Sequence, residues 1–403
     1  MRRRMDIDLV VLGMCAIFIV TLACSMGGSS EPTESSTPPP TATTSMIRAT
    51  ALPGGSQGTQ RVAPTETETT DFQPTDNLPT EIEPENTSSI PTADPPQQST
   101  TAPDPQPTAG ITATTFGPLE DWTKGAYYGE EITLFADVTG DGLADAIAVD
   151  YASIYVRRSN GSEFLLPFED WTSGSFYGTH RTMFKDVTGD GLADAIAVDN
   201  EGVYVRPSTG SSFAPMSNWT SGAYFGTITT DFADVNGDGL ADAIAVDEDG
   251  VYVRLSTGSS FGPHSNWTGG AYLGHLGTYF ADLTGDGLAD AIAVDNDGLY
   301  VRPSTGSSFG PHSNWKPGGY AGELSTHFID VTGDGIPDAI AVDDASVYVL
   351  PSNGSGFPVP HQDWTGGTYF GERGNFFADV TGDGLADAIA VDHDSIYVRR
   401  ASP

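Results

Sequence analysis

The chain has 403 residues and a net charge of −37, with 17 Lys and Arg set against 54 Asp and Glu. A surface of that sign repels phosphate backbones and anionic headgroups, which excludes nucleic acid and an anionic lipid surface as partners. Its two cysteines, Cys15 and Cys24, both sit in the first 24 residues, so the rest of the chain carries no disulfide.

In chain order, Arg2, Arg3 and Arg4 precede an apolar run from Leu9 to Ala23, the charge and length pattern of a secretory leader. The run is shorter than the ~20 residues of a membrane span. Leu22-Ala23-Cys24 resembles a bacterial lipobox, although Thr21 and Leu22 depart from its usual residues. Residues 1–23 are therefore expected to be a lipoprotein-like signal peptide with Cys24 lipidated, and the protein to be exported to the cell surface. An uncleaved anchor and plain secretion are the alternatives. The only membrane contact expected is through this lipid or leader. Residues 24–112 are rich in Thr, Pro, Ser and Glu, lack hydrophobic periodicity and nearly lack aromatics. Such a segment buries too little apolar surface to offset its ordering entropy, so a disordered linker is expected between anchor and domain.

From there to residue 403, one nine-residue string recurs six times at intervals of 48 or 49 residues, starting at Asp137, Asp186, Asp234, Asp282, Asp330 and Asp379. A period of this size means stacked or radially arranged supersecondary units. In the first copy, oxygen side chains occupy positions 1, 3, 5 and 9 (Asp137, Thr139, Asp141, Asp145), and the carbonyl of Leu143 falls at position 7. A hard cation that takes six to eight oxygens is suited to such a loop, and Gly142 permits the sharp turn that points them inward. The matching candidates are Asp186, Thr188, Asp190, Leu192 and Asp194; Asp234, Asn236, Asp238, Leu240 and Asp242; Asp282, Thr284, Asp286, Leu288 and Asp290; Asp330, Thr332, Asp334, Ile336 and Asp338; and Asp379, Thr381, Asp383, Leu385 and Asp387. Calcium, about one ion per repeat, is the expected cofactor. This is not an EF-hand, since position 12 is an alanine such as Ala148 rather than Glu. An acidic turn without metal is the alternative, but three carboxylates in nine residues repel one another unless a cation intervenes.

Strand, not helix, flanks each loop. Ala-Asp-Ala-Ile-Ala-Val-Asp follows the glycines in all copies but one, where Pro337 replaces the first alanine. Its period of two puts Ile147 and Val149 on one face and Ala146 and Ala148 on the other. A second run such as Ile154-Tyr155-Val156-Arg157, a Ser-Thr-Gly-Ser turn, a Trp and a Gly- and Tyr-rich link complete about four strands per repeat, the content of a propeller blade. The repeat region opens on Phe116-Gly-Pro-Leu-Glu-Asp-Trp122, the last strand of a blade, and ends one strand short at Arg399-Arg-Ala-Ser-Pro403. The fold expected is all-β: a six-bladed β-propeller of four-stranded blades over residues 113–403, closed by the N-terminal strand.

The Asp-x-x-Gly-Asp-Gly-x-x-Asp loop, with the strings Tyr224-Phe-Gly226 and Phe309-Gly-Pro311, resembles the FG-GAP/VCBS repeat family, which includes integrin-α propellers and integrin-like fungal lectins. The resemblance implies a β-propeller with calcium in the hairpin loops of its blades. It departs in count, since integrin propellers have seven blades and this chain has six repeats. The family covers adhesion proteins, lectins and accessory domains of exported enzymes, so membership alone does not name the activity.

No nucleophile elbow, zinc motif or phosphate loop is present, and one active site needs no sixfold copy, so the expectation is a protein that binds rather than catalyses. His264, His312 and His361 share a position shortly before a Trp; other repeats put Leu119, Phe168 and Met216 there, which points to packing or surface. The repeated aromatics and arginines are the candidate ligand contacts: Trp171, Trp219, Trp267, Trp315, Trp364, Tyr224, Tyr272, Arg206, Arg254 and Arg302. Packing between blades is the alternative for the rings; a sugar platform, in which a pyranose stacks on Trp, is the functional reading. The expected partner is an extracellular glycan or protein ligand, in an adhesion or lectin-like role. A purely structural or protein-interaction propeller and an enzyme accessory domain are the other readings.

Overall fold

The computed structural model describes residues 113–402, which contain strands and turns but no helix. The leader, Cys24 and the linker lie outside the described residues.

Six four-stranded antiparallel sheets follow one another, each built from a repeat. Blade 1 consists of Ile132–Ala136, Asp145–Val149, Ile154–Arg157 and Glu169–Asp170. Blades 2 to 5 repeat this order, with first strands Arg181–Lys185, Thr229–Ala233, Gly277–Ala281 and Ser325–Ile329. The first strands of neighbouring blades touch all the way round, the last against the first, so they form the inner wall of a closed ring. In blade 6 the outermost strand comes from the other end of the chain: Glu120–Asp121 pairs with Ile396–Arg399, Glu120 opposite Val398. A second pairing, Thr115–Phe116 with Ala401–Ser402, reinforces the joint. Closure pairs both ends of the chain, and the outer edge left on a blade is short, two residues long in blade 1 and blade 2.

The alternation of large and small residues in each second strand determines how blades stack. Ile147, Val149, Ile154 and Val156 of blade 1 lie in one buried cluster with Ala195, Ala197, Phe184 and Phe213 of blade 2. The alanine face of blade 1, Ala146 and Ala148, packs in turn on Ile389 and Val391 of blade 6. Each interface is thus a bulky face against a flat one, and the buried rings dominate its energetics at about 25 cal/mol per Å² of apolar surface.

Two glycine positions are required by close approach. Gly226, in the link that crosses from one blade into the next, lies so near the sheet that a Cβ there would come within 2.2 Å of the Thr229 carbonyl oxygen and 2.4 Å of the Val246 nitrogen. Gly189, at φ 81°, is the socket for the next blade, because a Cβ would meet Leu240 Cδ2 at 2.5 Å.

Interblade hydrogen bonds recur, with one exception. The Phe213 N–H donates to the Trp171 carbonyl at 3.0 Å and the Ala193 N–H to the Asp137 carbonyl at 2.8 Å, and equivalents occur at the other junctions. Between blades 4 and 5 both are missing among the described residues: Pro337 has no N–H to offer Asp282, and Phe357 does not reach the Trp315 carbonyl. Leu350 also replaces the arginine that in blades 1, 2 and 4 reaches back to a carbonyl of the preceding link, as Arg302 does to Thr268.

Candidate functional site

Two repeated features lie at opposite ends of the same strands. The acidic loops join each first strand to the second, Ala136 to Asp145 in blade 1. The far end of the second strand, with Asp150, lies beside the crossover link.

In the first acidic loop, Asp137 accepts from the Gly140 N–H through Oδ1 (2.6 Å) and from the Gly142 N–H through Oδ2 (2.8 Å). Asp141 accepts from the Leu143 N–H at 3.0 Å. Asp145 is fully buried; its two oxygens accept from the Ser159 N–H at 2.9 Å and the Val138 N–H at 3.4 Å. Burial, opposed by these N–H donors and aided by the charges of Asp141 and Asp137, raises its pKa to about 7. Asp242, Asp338 and Asp387 are pushed to about 7, and Asp194 and Asp290 to about 6, in each case first by burial. Asp186, Asp234, Asp282, Asp330 and Asp379 repeat the turn made by Asp137, and each binds the glycine N–H five residues on. As placed, the carboxylates are engaged with backbone N–H groups, and among the described residues no three acidic, His or Cys side chains converge into a finished metal cage. The donor chemistry nonetheless suits a hard divalent cation. All the side-chain donors are oxygens, and three carboxylates, one of them buried, crowd each loop.

The candidate ligand contacts divide. Trp171, Trp219, Trp267 and Trp364 are buried at 2–5% exposure, each steeply inclined to a phenylalanine ring, as in Trp171–Phe213 at 5.2 Å. They are interblade packing and cannot be a sugar platform, because no face of the indole is open. Trp315 alone is half-buried, with its Phe357 partner at 6.4 Å. The hydroxyls of Tyr224 and Tyr272 donate to the Ala243 and Ala291 carbonyls at 2.9 and 3.0 Å, tying the link to its own blade. The arginines do the same work. Arg206, Arg254 and Arg302 lie over Phe176, Tyr224 and Tyr272 at 5.6, 4.9 and 5.1 Å. They donate to the Ala214, Gly262 and Gly310 carbonyls.

These packed rings form the floor of a recurring pocket. In blade 1 it is lined by Tyr127, Tyr128, Asp150, Tyr155 and Phe168 and holds about 350 Å³. In blade 3 the lining is Tyr224, Phe225, Asp247, Tyr252, Arg254 and His264, with about 390 Å³. In blade 4 it is Tyr272, Leu273, His275, Asp295, Tyr300 and His312, with about 420 Å³. Small-molecule sites start at about 300 Å³ and combine apolar walls with a few polar groups. The pocket lies against a single blade and its incoming link rather than between two sheets. Its aspartate is fixed by that link: Asp247 Oδ1 accepts from the Thr227 N–H and Oγ1, both at 2.7 Å. Sequence reasoning missed Asp150, Asp247, Asp295, Tyr155, Tyr252 and Tyr300, and read the histidines as packing or surface. The signal was present, since the aspartate ends Ala-Ile-Ala-Val-Asp in all six repeats, but it looked like the last residue of a strand.

The FG-GAP-like repeat profile matches residues 186–245, 234–293, 282–341 and 330–390, together just over half of the chain. The chain belongs to the FG-GAP-like repeat family. No curated protein sequence matches this FG-GAP-like repeat protein. Among solved structures it is similar to a lectin from Agrocybe aegerita that specifically recognises non-reducing terminal N-acetylglucosamine. That likeness has 27% identity and a TM-score of 0.50, over 64% of this chain and 73% of the lectin. It is also similar to part of the Photorhabdus luminescens Tc holotoxin pore, at 17% identity and a TM-score of 0.56, over 72% of this chain and 15% of that one. The second likeness concerns the fold alone.

Proposed function

We propose that this FG-GAP-like repeat propeller is a non-enzymatic glycan-binding protein whose sites are the pockets at the crossover links. The observation that carries this reading is the recurrence, in register, of one pocket with an anchored aspartate and two tyrosines in blades 1, 3 and 4. Saccharide recognition needs an apolar wall for the C–H face and fixed polar groups for the hydroxyls, and each pocket has both. The similarity to a lectin that recognises terminal N-acetylglucosamine supports the ligand class. The carboxylate in each pocket favours neutral sugars over acidic ones, because a like charge would have to be desolvated beside it. Repeated weak sites on one ring give avidity for a surface that displays many copies of the ligand.

Calcium in the acidic loops is part of the same proposal. Asp137, Thr139, Asp141, the Leu143 carbonyl and Asp145, with their counterparts, would hold it, and its positive charge would offset the crowded carboxylates. The pockets lie at the other strand ends, so calcium acts there as a structural ion. Export on the Cys24 lipid, with the linker as spacer, would display the ring outside the cell. A protein-interaction role is favoured by a separate observation: Leu165, Leu166 and Phe168 are exposed together at 40%, 72% and 54%.

A glycan array with and without a calcium chelator tests the reading. Binding to neutral saccharides, weakened at blade 3 by Asp247→Ala, is the expected result. Absence of binding to every glycan in calcium would sink it.

A further inference from the structure

The six repeats agree closely at most buried positions and vary on the pocket rim, where one position divides the ring in two. Three residues before each tryptophan stand Leu119, Phe168, Met216, His264, His312 and His361, in that order around the ring. The ring is therefore split into two runs of three consecutive blades, one apolar and one histidine-bearing. The apolar residues are not packed away, being 52%, 54% and 60% exposed.

The two kinds of residue are presented in the same pose. Phe168 stands edge-on to Tyr155 (76° at 5.3 Å) and tilted over Tyr127 (36° at 6.5 Å). His312 stands edge-on to Tyr300 (77° at 6.0 Å) and tilted over Tyr272 (33° at 6.4 Å). His361 repeats the arrangement against Tyr348 and Tyr320, at 5.4 and 6.0 Å, and His264 stands edge-on to Tyr252 at 5.9 Å. Where the position carries a ring, at Phe168, His264, His312 and His361, the blade holds it in a similar pose, and the sequence chooses whether that ring carries nitrogen; Leu119 and Met216 put an apolar chain without a ring there. Among the described residues, no protein group hydrogen-bonds the ring nitrogens of His264, His312 or His361, whereas His180, His275, His327 and His393 have such partners. Imidazole nitrogens can make hydrogen bonds to a ligand, and His264 and His312 line the pockets of blades 3 and 4.

We propose that the pockets are of two chemical kinds, and that His264, His312 and His361 determine which of them bind sugar. This rests on the glycan reading above and sharpens it. A saccharide entering a histidine pocket has its hydroxyl or acetamido group met by the imidazole as well as by the aspartate. Entering a pocket rimmed by Leu119, Phe168 or Met216, the same group loses its water without replacement. One unreplaced hydrogen bond on a desolvated polar group changes affinity by about tenfold or more. The binding-competent sites are then three neighbours on one side of the ring, which suits a ligand surface approached from that side.

The test counts bound N-acetylglucosamine per chain, in calcium, by native mass spectrometry and titration calorimetry. Three equivalents are expected. His264→Phe, His312→Phe and His361→Phe should each remove one, and Phe168→His should add one. The rings share a pose, so none of these substitutions should shift the thermal unfolding midpoint, which is checked alongside. Six equal sites, or a count unmoved by Phe168→His, would overturn the inference while leaving the glycan reading standing. No saccharide bound to any variant would overturn both.

Discussion

Replacing Gly226 by Ala is expected to be far more damaging than its size suggests. The added Cβ would lie 2.2 Å from the Thr229 carbonyl oxygen, 2.4 Å from the Val246 nitrogen and 2.5 Å from the Val246 carbonyl oxygen. All three are backbone atoms of strands paired in the blade 3 sheet, Thr229 opposite Val246, so none can rotate away. Either the ladder parts or the link lifts off it, with loss of the Gly226 N–H bond to Thr230 Oγ1 at 2.9 Å. Overpacking against flexible side chains costs about 1–3 kcal/mol; against rigid backbone, with one hydrogen bond also broken, about 3–5 kcal/mol is expected. The control is Gly239→Ala in the acidic loop of the same blade. It has φ 84° and nothing within 4 Å of the new Cβ. Only the positive φ penalises it, by about 1–2 kcal/mol. Denaturant unfolding followed by tryptophan fluorescence, run in calcium and in chelator, measures both. The gap between them is about 1–4 kcal/mol, which in a parallel thermal melt of a domain of this size is about 2–7 °C in Tm. If Gly226→Ala lost no more stability than Gly239→Ala in both conditions, the close-approach argument would be wrong. Because the link carries Tyr224 and Phe225 into a pocket, Gly226→Ala should also abolish binding at blade 3 while sparing blade 4.

Trp267→Ala should cost about 3–5 kcal/mol, the range for a buried large aromatic. Trp315→Ala should cost clearly less, since that ring is half-buried at a junction lacking two recurrent hydrogen bonds; chemical denaturation of the pair compares them. Calcium addition should raise the melting temperature and chelation lower it, as for any ligand bound only by the folded state; an unchanged midpoint would remove the metal assignment. Burial against Phe377 lowers the His327 pKa to about 4. Between there and its unfolded value near 6.5, the unfolded chain binds a proton that the folded one does not. Stability from this residue is therefore complete above about pH 6.5 and falls as the pH drops towards 4, by at most about 3 kcal/mol. Stability measured against pH for His327→Phe should lack that loss.

The ring was legible in the sequence because its determinants are local and repeated. The loop Asp137–Asp145, the alternation Ala146-Ile147-Ala148-Val149 and the matching ends at Trp122 and Arg399 each specify a piece of blade whatever surrounds them. Six copies make the pieces add up, and the strand Glu120–Asp121 fills the vacancy expected of it. The pocket was not legible in the same way. Tyr252 and Asp247 read as members of two separate strands, and only the crossover of the link Ala223-Tyr224-Phe225 over that pair places them around one hollow.

Burial is likewise a property of the assembled ring. A tryptophan repeated six times fits a sugar platform and an interblade wedge equally well on paper. Its exposure depends on the phenylalanine of the next blade, some 42 residues away for Trp171 and Phe213. The junction between blades 4 and 5 makes the same point, since Pro337, Leu350 and Phe357 are scattered substitutions that become one weakened seam only when two blades are set side by side. The sequence by itself determined the number of blades, their strand order and their acidic loops, because backbone pairing and turn chemistry act over a few residues. The tertiary structure decided which rings are core and which face solvent, because that depends on neighbours the chain reaches only after the ring has closed.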